Sequence, residues 1–108
     1  MGWEVQIGEW ERNITFNFSP LFRIMMPVGL SQLHGCTAEE AATIIWHGFR
    51  LLTTYVADGR GSRGAPRPVP SWLWVRGSNT VEQGLDVLRE LWQVCTEANP
   101  AEIVLVFG

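Results

Sequence analysis

Polar and apolar side chains alternate from Trp3 to Phe18. In an extended chain Trp3, Val5 and Ile7 share one side and Glu4 and Gln6 the other, so this region predicts one or two strands, with the bend at residues 8–12. Within it the run NITFNFSP, residues 13–20, sets Asn13, Thr15, Asn17 and Ser19 against Ile14, Phe16 and Phe18. That spacing predicts a strand with one uncharged face of amides and hydroxyls. Pro20 closes the strand region, and the apolar run at residues 21–26 predicts one or two helical turns packed into a core.

The period then changes from two to about 3.6. Thr37 and Glu40 have capping-box spacing, and a helix is expected to about Val56. Ala38, Ala41, Ala42, Ile45, Phe49, Leu52 and Val56 form its apolar stripe, which Ile44, Leu51 and Tyr55 widen. A helix this apolar calls for cover on more than one side, from its own domain or from a second copy of the chain. Residues 57–71 carry Gly59, Gly61, Gly64, Pro66, Pro68 and Pro70, which predicts a flexible Gly/Pro/Arg loop. The following SWLWVRG segment reads as a short strand or an aromatic lid. A last helix starts at a cap on Asn79 or Thr80 and stops at Asn99-Pro100, with Val81, Leu85, Leu88, Leu91, Trp92, Cys95 and Ala98 on its buried face. The apolar run at residues 103–107 predicts a strand interior to the sheet. The expected fold is a single α+β domain over residues 1–108: a small antiparallel or mixed sheet, made of an N-terminal hairpin and a C-terminal strand, with two main helices packed on one face.

With 108 residues, 46% of them hydrophobic, the chain supports one core. Acidic residues interrupt the first dozen positions and no apolar run reaches bilayer length, so the expectation is a protein of the cytoplasm with no membrane partner. Cys36 and Cys95 stand far apart and read as reduced, structural thiols. A net charge of −3 argues against a general nucleic-acid binder. All eight basic residues are arginine, and Arg60, Arg63, Arg67 and Arg76 fall in a stretch without any acid from Gly59 to Asn79. The remaining four arginines face eleven acids.

Three groups of residues are candidates for chemistry. Guanidinium forks flanked by glycines suit phosphate oxygens, although the spacing matches no P-loop. Trp72 and Trp74, beside those arginines, are placed to stack on a base or to anchor a partner protein. Asn13, Thr15 and Asn17, with His34 nearby, read hydrogen-bonding edges without imposing charge. No triad, no His-Glu-x-x-His and no cysteine pair is present, so no catalytic residue, metal or cofactor is expected. His34, next to Gly35 and Cys36, reads as a turn histidine or a general base.

The residues Asn13-x-Thr15-x-Asn17-x-Ser19-Pro20, then Leu33-His34-Gly35 with Thr37 and Ala41, and finally Glu82 to Leu85, resemble a group of small phage and prophage proteins, several from actinobacterial hosts, whose activity is unassigned. The likeness spans about half the chain. It departs before the last helix, where the group carries an Asn-Pro-rich loop with Gly-Trp and this chain has its Arg/Pro segment. The resemblance implies a phage protein acting in the cytoplasm of a bacterial host. Small phage proteins commonly act by binding, and the expected function is therefore non-enzymatic sequestration of a small anionic ligand, a nucleotide signal of host defence, by a homodimer or higher homo-oligomer. The alternatives are a protein-binding inhibitor of a host defence protein and, third, a nucleotide-processing enzyme.

Overall fold

Strands β1 (Gly2–Ile7) and β2 (Trp10–Thr15) form an antiparallel hairpin in which Ile7 stands opposite Trp10. The turn is therefore Gly8-Glu9, and Gly8 adopts a φ of +60°, which glycine takes without a Cβ penalty. Strand β3 (Val104–Phe107) pairs antiparallel with the other side of β1. Register places Trp3 opposite Ile14, Val5 opposite Val106 and Ile7 opposite Val104, so these six side chains share one face, and all are buried. Glu4, Gln6, Glu11, Asn13 and Phe107 take the other face, exposed or half-buried. The computed structural model describes residues 2–57 and 75–108.

The strand pattern expected through Phe18 stops at Thr15. The Thr15 hydroxyl accepts from the Asn17 N–H at 3.3 Å and opens a 3-10 turn over Phe16–Phe18. A side chain that hydrogen-bonds its local backbone competes with the sheet ladder, and Asn17 and Ser19 leave the polar face as a result. Helix α1 (Ser19–Met25) follows at once, with Pro20 in its first turn, where no N–H is needed. Leu21, Phe22 and Met25 are buried, as expected of that run.

The interior position expected of the last strand is also corrected. The sheet order is β2-β1-β3, so β3 lies at an edge. Its outer side is nevertheless covered by residues 34–37. The Gly35 N–H donates to the Val104 carbonyl at 2.8 Å, the Val104 N–H to the Cys36 carbonyl at 2.8 Å, and the Val106 N–H to Nδ1 of His34 at 3.0 Å. The continuous apolar run therefore marks a covered edge, where a loop and an imidazole do the work of a neighbouring strand.

Helix α2 (Ala38–Ala57) begins with the expected box: the Thr37 N–H donates to the Glu40 carboxylate at 2.9 Å and the Glu40 N–H to the Thr37 hydroxyl at 3.2 Å. Helix α3 (Val81–Glu97) repeats the device with Thr80 and Gln83. Ala38, Ala41, Ala42, Ile45 and Leu52 of α2 and Gly84, Val87, Leu88, Leu91 and Cys95 of α3 face the common core. The helices run in opposite directions, since Trp46 packs on Trp92 while Arg89 lies over Phe49. All three helices cover one face of a three-stranded sheet, which is the α+β arrangement the periodicities predict.

Candidate cleft between the second strand and the last helix

Beside β2 lies a cleft of about 600 Å³, lined by Arg12, Asn13, Ile14, Thr15 and Phe18 on one side and by Asn79, Gln83, Asp86, Val87 and Glu90 on the other. Its position follows from the elements. β2 is an edge strand, and the two-residue hairpin directs the backbone N–H and C=O groups of Glu11, Asn13 and Thr15 away from β1. Across from it, Gln83, Asp86 and Glu90 recur at helical spacing on α3, beside the buried Val87. The floor is apolar, from Ile14, Phe18 and Val87, and the rim is polar, which is the composition of a ligand site within the usual range of volumes.

Charges in the cleft are already matched. Arg12 pairs with Glu90, and Arg89 with Asp86 at 2.7 Å, all four side chains being substantially exposed. The α3 wall is consequently close to neutral. Amides dominate what remains: Nδ2 of Asn17 donates to Oδ1 of Asn79 at 2.7 Å, and Nδ2 of Asn79 donates to Oε1 of Gln83 at 3.3 Å. The same Gln83 oxygen accepts the Thr80 N–H of the capping box at 2.9 Å. This chain of amides ties the end of the hairpin to the start of α3. The Asn13 carboxamide makes no hydrogen bond among the described residues; Asn13 borders the cleft, while the register puts its side chain on the outer sheet face beside Glu4.

Arg76, at the end of the basic segment, comes beside these amides through its backbone. Its N–H donates to the Asn17 carbonyl at 2.9 Å, its own carbonyl accepts the Asn79 N–H at 3.4 Å, and the residue is exposed. Val75 is buried and Gly77 turns the chain with a φ of +63°. Of the residues expected to form a site, Asn13 and Thr15 line the cleft, while Asn17 and Arg76 lie beside it through their hydrogen bonds to Asn79. Thr15 and Asn17 also hold structure, the first by capping a turn and the second by bridging to Asn79.

His34 does not join them. It sits at β3, on the opposite edge of the sheet from β2, where its ring accepts from Val106 and packs against Phe107 at 5.5 Å between centroids. Its role is to satisfy an edge N–H. Arg60, Arg63, Arg67, Trp72 and Trp74 lie outside the described residues, as does the loop expected at 57–71 apart from Ala57, which ends α2. Sequence patterning singles out none of Arg12, Gln83, Asp86 and Glu90 as a site residue. Their signal was the polar stripe of α3, which is readable from spacing but indistinguishable from an ordinary solvated helix face.

Other titratable groups stand away from the cleft floor. Glu4 is raised above its ordinary value by hydrogen bonding to and repulsion from Glu11 on the outer sheet face. Burial pushes the Cys95 thiol up to about 11, and burial with the Glu40 charge raises Cys36, so neither thiol is activated. Among the described residues no three His, Cys, Asp or Glu side chains gather as a metal site, and no helix is long and apolar enough to cross a membrane. Comparison with protein-family models, curated proteins and solved structures finds no match to this chain.

Proposed function

We propose that the protein is a non-enzymatic binder of a small anionic ligand, of the nucleotide class, held in the cleft between β2 and α3. The observation that carries this reading is a cleft of about 600 Å³ lined by Asn13, Thr15, Asn79 and Gln83, with Asn17 bonded to Asn79 beside it and the Arg76 backbone bonded to Asn17. A base or sugar edge offers donors and acceptors that amides match without charge, and the apolar floor accepts a ring face. Because the acids of the α3 wall are paired, this reading assigns anion attraction to Arg76, whose backbone is bonded to Asn17 beside the cleft and whose planar fork suits a phosphate. In the phage setting implied by the resemblance, sequestering a nucleotide signal of host defence is the corresponding biological role.

Isothermal calorimetry against a panel of cyclic and linear nucleotides tests this. One class should give saturable heat, with Arg76→Ala weakening it about tenfold or more, the cost of a lost hydrogen bond to a charged group, and Asn13→Ala weakening it less. Absence of heat across the panel at high protein concentration removes the proposal.

A protein partner is the second reading, and the outer edge of β2, which no strand covers among the described residues, is what favours it. An extended segment could add to that edge and drop a side chain onto Ile14, Phe18 and Val87. Capture of one host protein that Arg76→Ala leaves intact, while Asn13→Pro abolishes it, would select this reading over the first.

A further inference from the structure

The outward face of the α2–α3 pair carries a second feature, independent of the cleft. Trp46 is 52% exposed although its ring packs on Trp92 at 5.9 Å between centroids. Next to the pair lies a depression of about 370 Å³ lined by Ala42, Thr43, Trp46 and Trp92. It continues into a second groove of about 280 Å³ that passes Glu39, Cys95, Thr96 and Pro100. A large exposed knob and a hollow of small residues thus stand side by side on one surface.

The polar residues around them are arranged with a definite sense. At about 100° per residue, Glu39, Thr43, Trp46 and Arg50 fall within an arc of about 60° on α2, and all four are exposed. One end of the strip is negative and the other positive. Neither the Glu39 carboxylate nor the Arg50 guanidinium has an ion-pair or hydrogen-bond partner among the described residues. A two-fold axis placed midway between positions 44 and 45 exchanges 39 with 50 and 43 with 46. Under that operation each unpaired carboxylate meets an unpaired guanidinium, and each exposed indole meets the hollow at Ala42 and Thr43.

We infer that this face binds a second copy of the same chain, as an isologous dimer in which the two α2 helices cross antiparallel. Self-complementarity of both shape and charge is what a two-fold interface requires, and a different partner would have no reason to match both. The footprint spans about 16 Å along α2, at 1.5 Å per residue, and two helices across. That places it at the small end of specific interfaces, about 1,000 Å² in total, so the dimer is expected to dissociate on dilution.

Sedimentation of the full chain over a concentration series tests the inference. A monomer–dimer equilibrium is expected, lost in Trp46→Ala. Because each charge occurs twice in a two-fold interface, Glu39→Arg or Arg50→Glu alone should weaken association about tenfold, and the double variant should restore it. Both residues are exposed and have no ion-pair partner among the described residues, so these variants keep the fold, which circular dichroism verifies. A chain that stays monomeric at about 1 mM, the weak end of measurable affinity, overturns the inference. A dimer indifferent to these substitutions, or charge reversals that the double variant fails to rescue, overturns it as well.

Discussion

Replacing Gly84 by alanine sets two physical terms of opposite sign against each other. Glycine inside a helix costs about 1 kcal/mol relative to alanine, so propensity alone predicts that Gly84→Ala stabilises the protein by about that much. Gly84 is buried where α3 crosses the hairpin exit, and a Cβ there would lie 2.7 Å from Cδ2 of Leu21 and 3.0 Å from Cδ1 of Phe18. Carbon pairs rest at about 3.5–4.0 Å, so α3 or its neighbours must yield by about 1 Å. Leu21 is fully buried, so its methyl group has no empty space to enter, and Phe18, at the cleft floor, is 3% exposed. Overpacking of this kind costs about 1–3 kcal/mol. The net expectation is a loss of about 1 kcal/mol, read as a lower denaturant midpoint at unchanged slope in urea unfolding. Combining it with Leu21→Ala, which deletes the clashing methyl group, should cancel most of the alanine penalty, and a double-mutant cycle would show the coupling. A Gly84→Ala variant more stable than the parent would refute the reasoning: α3 would then not be seated against Phe18 and Leu21, and the cleft wall it carries would be misplaced.

Two smaller predictions follow from the edges and caps. His34→Ala leaves the Val106 N–H without its acceptor, which should cost about 1 kcal/mol and speed hydrogen exchange at Val106 while leaving Val5, its neighbour in the central strand, protected. Glu40 is held below its ordinary 4.5 by hydrogen bonds from Thr37, so its contribution is present above that value and is lost as pH falls through the lower folded value; Glu40→Gln should therefore lower the melting temperature at neutral pH and match the parent in acid. A melting curve for Glu40→Gln displaced equally at every pH would contradict the capping assignment.

Much of the fold is legible because local rules and burial agree. Both helix starts are legible, the first from Thr37 with Glu40 and the second from a cap at Asn79 or Thr80, which the structure resolves to Thr80 with Gln83, and the two-residue turn at Gly8 lies within the bend that alternation places there. The hairpin exit was less legible, because NITFNFSP alternates well beyond the point where the Thr15 hydroxyl ends the strand. Alternation reports which residues are buried, and a 3-10 turn that buries Phe18 and half-buries Phe16 satisfies the same pattern. The last strand misled in a similar way, since an apolar run reports covering and not the identity of what covers. No pattern in the chain announced that His34 would supply part of that cover. For the site, Asn13, Thr15, Asn17 and Arg76 were readable as types suited to a polar ligand, whereas their meeting with Gln83, Asp86 and Glu90 depends on how α3 crosses the hairpin. That crossing is set by Gly84 and by the Asn17–Asn79 bond, which are long-range facts that no local window contains.

The claim on which the functional account rests is that the polar end of β2 and the Arg76 turn form one receptive site with α3. Amide NMR of the isotope-labelled full chain, titrated with the same nucleotide panel, tests it most directly. The account predicts saturable shifts at Asn13, Thr15, Asn79 and Gln83, including the side-chain amides of Asn13 and Gln83, together with Arg76. A panel that shifts none of them, or shifts confined to β3 and the outward face of α2, would contradict it.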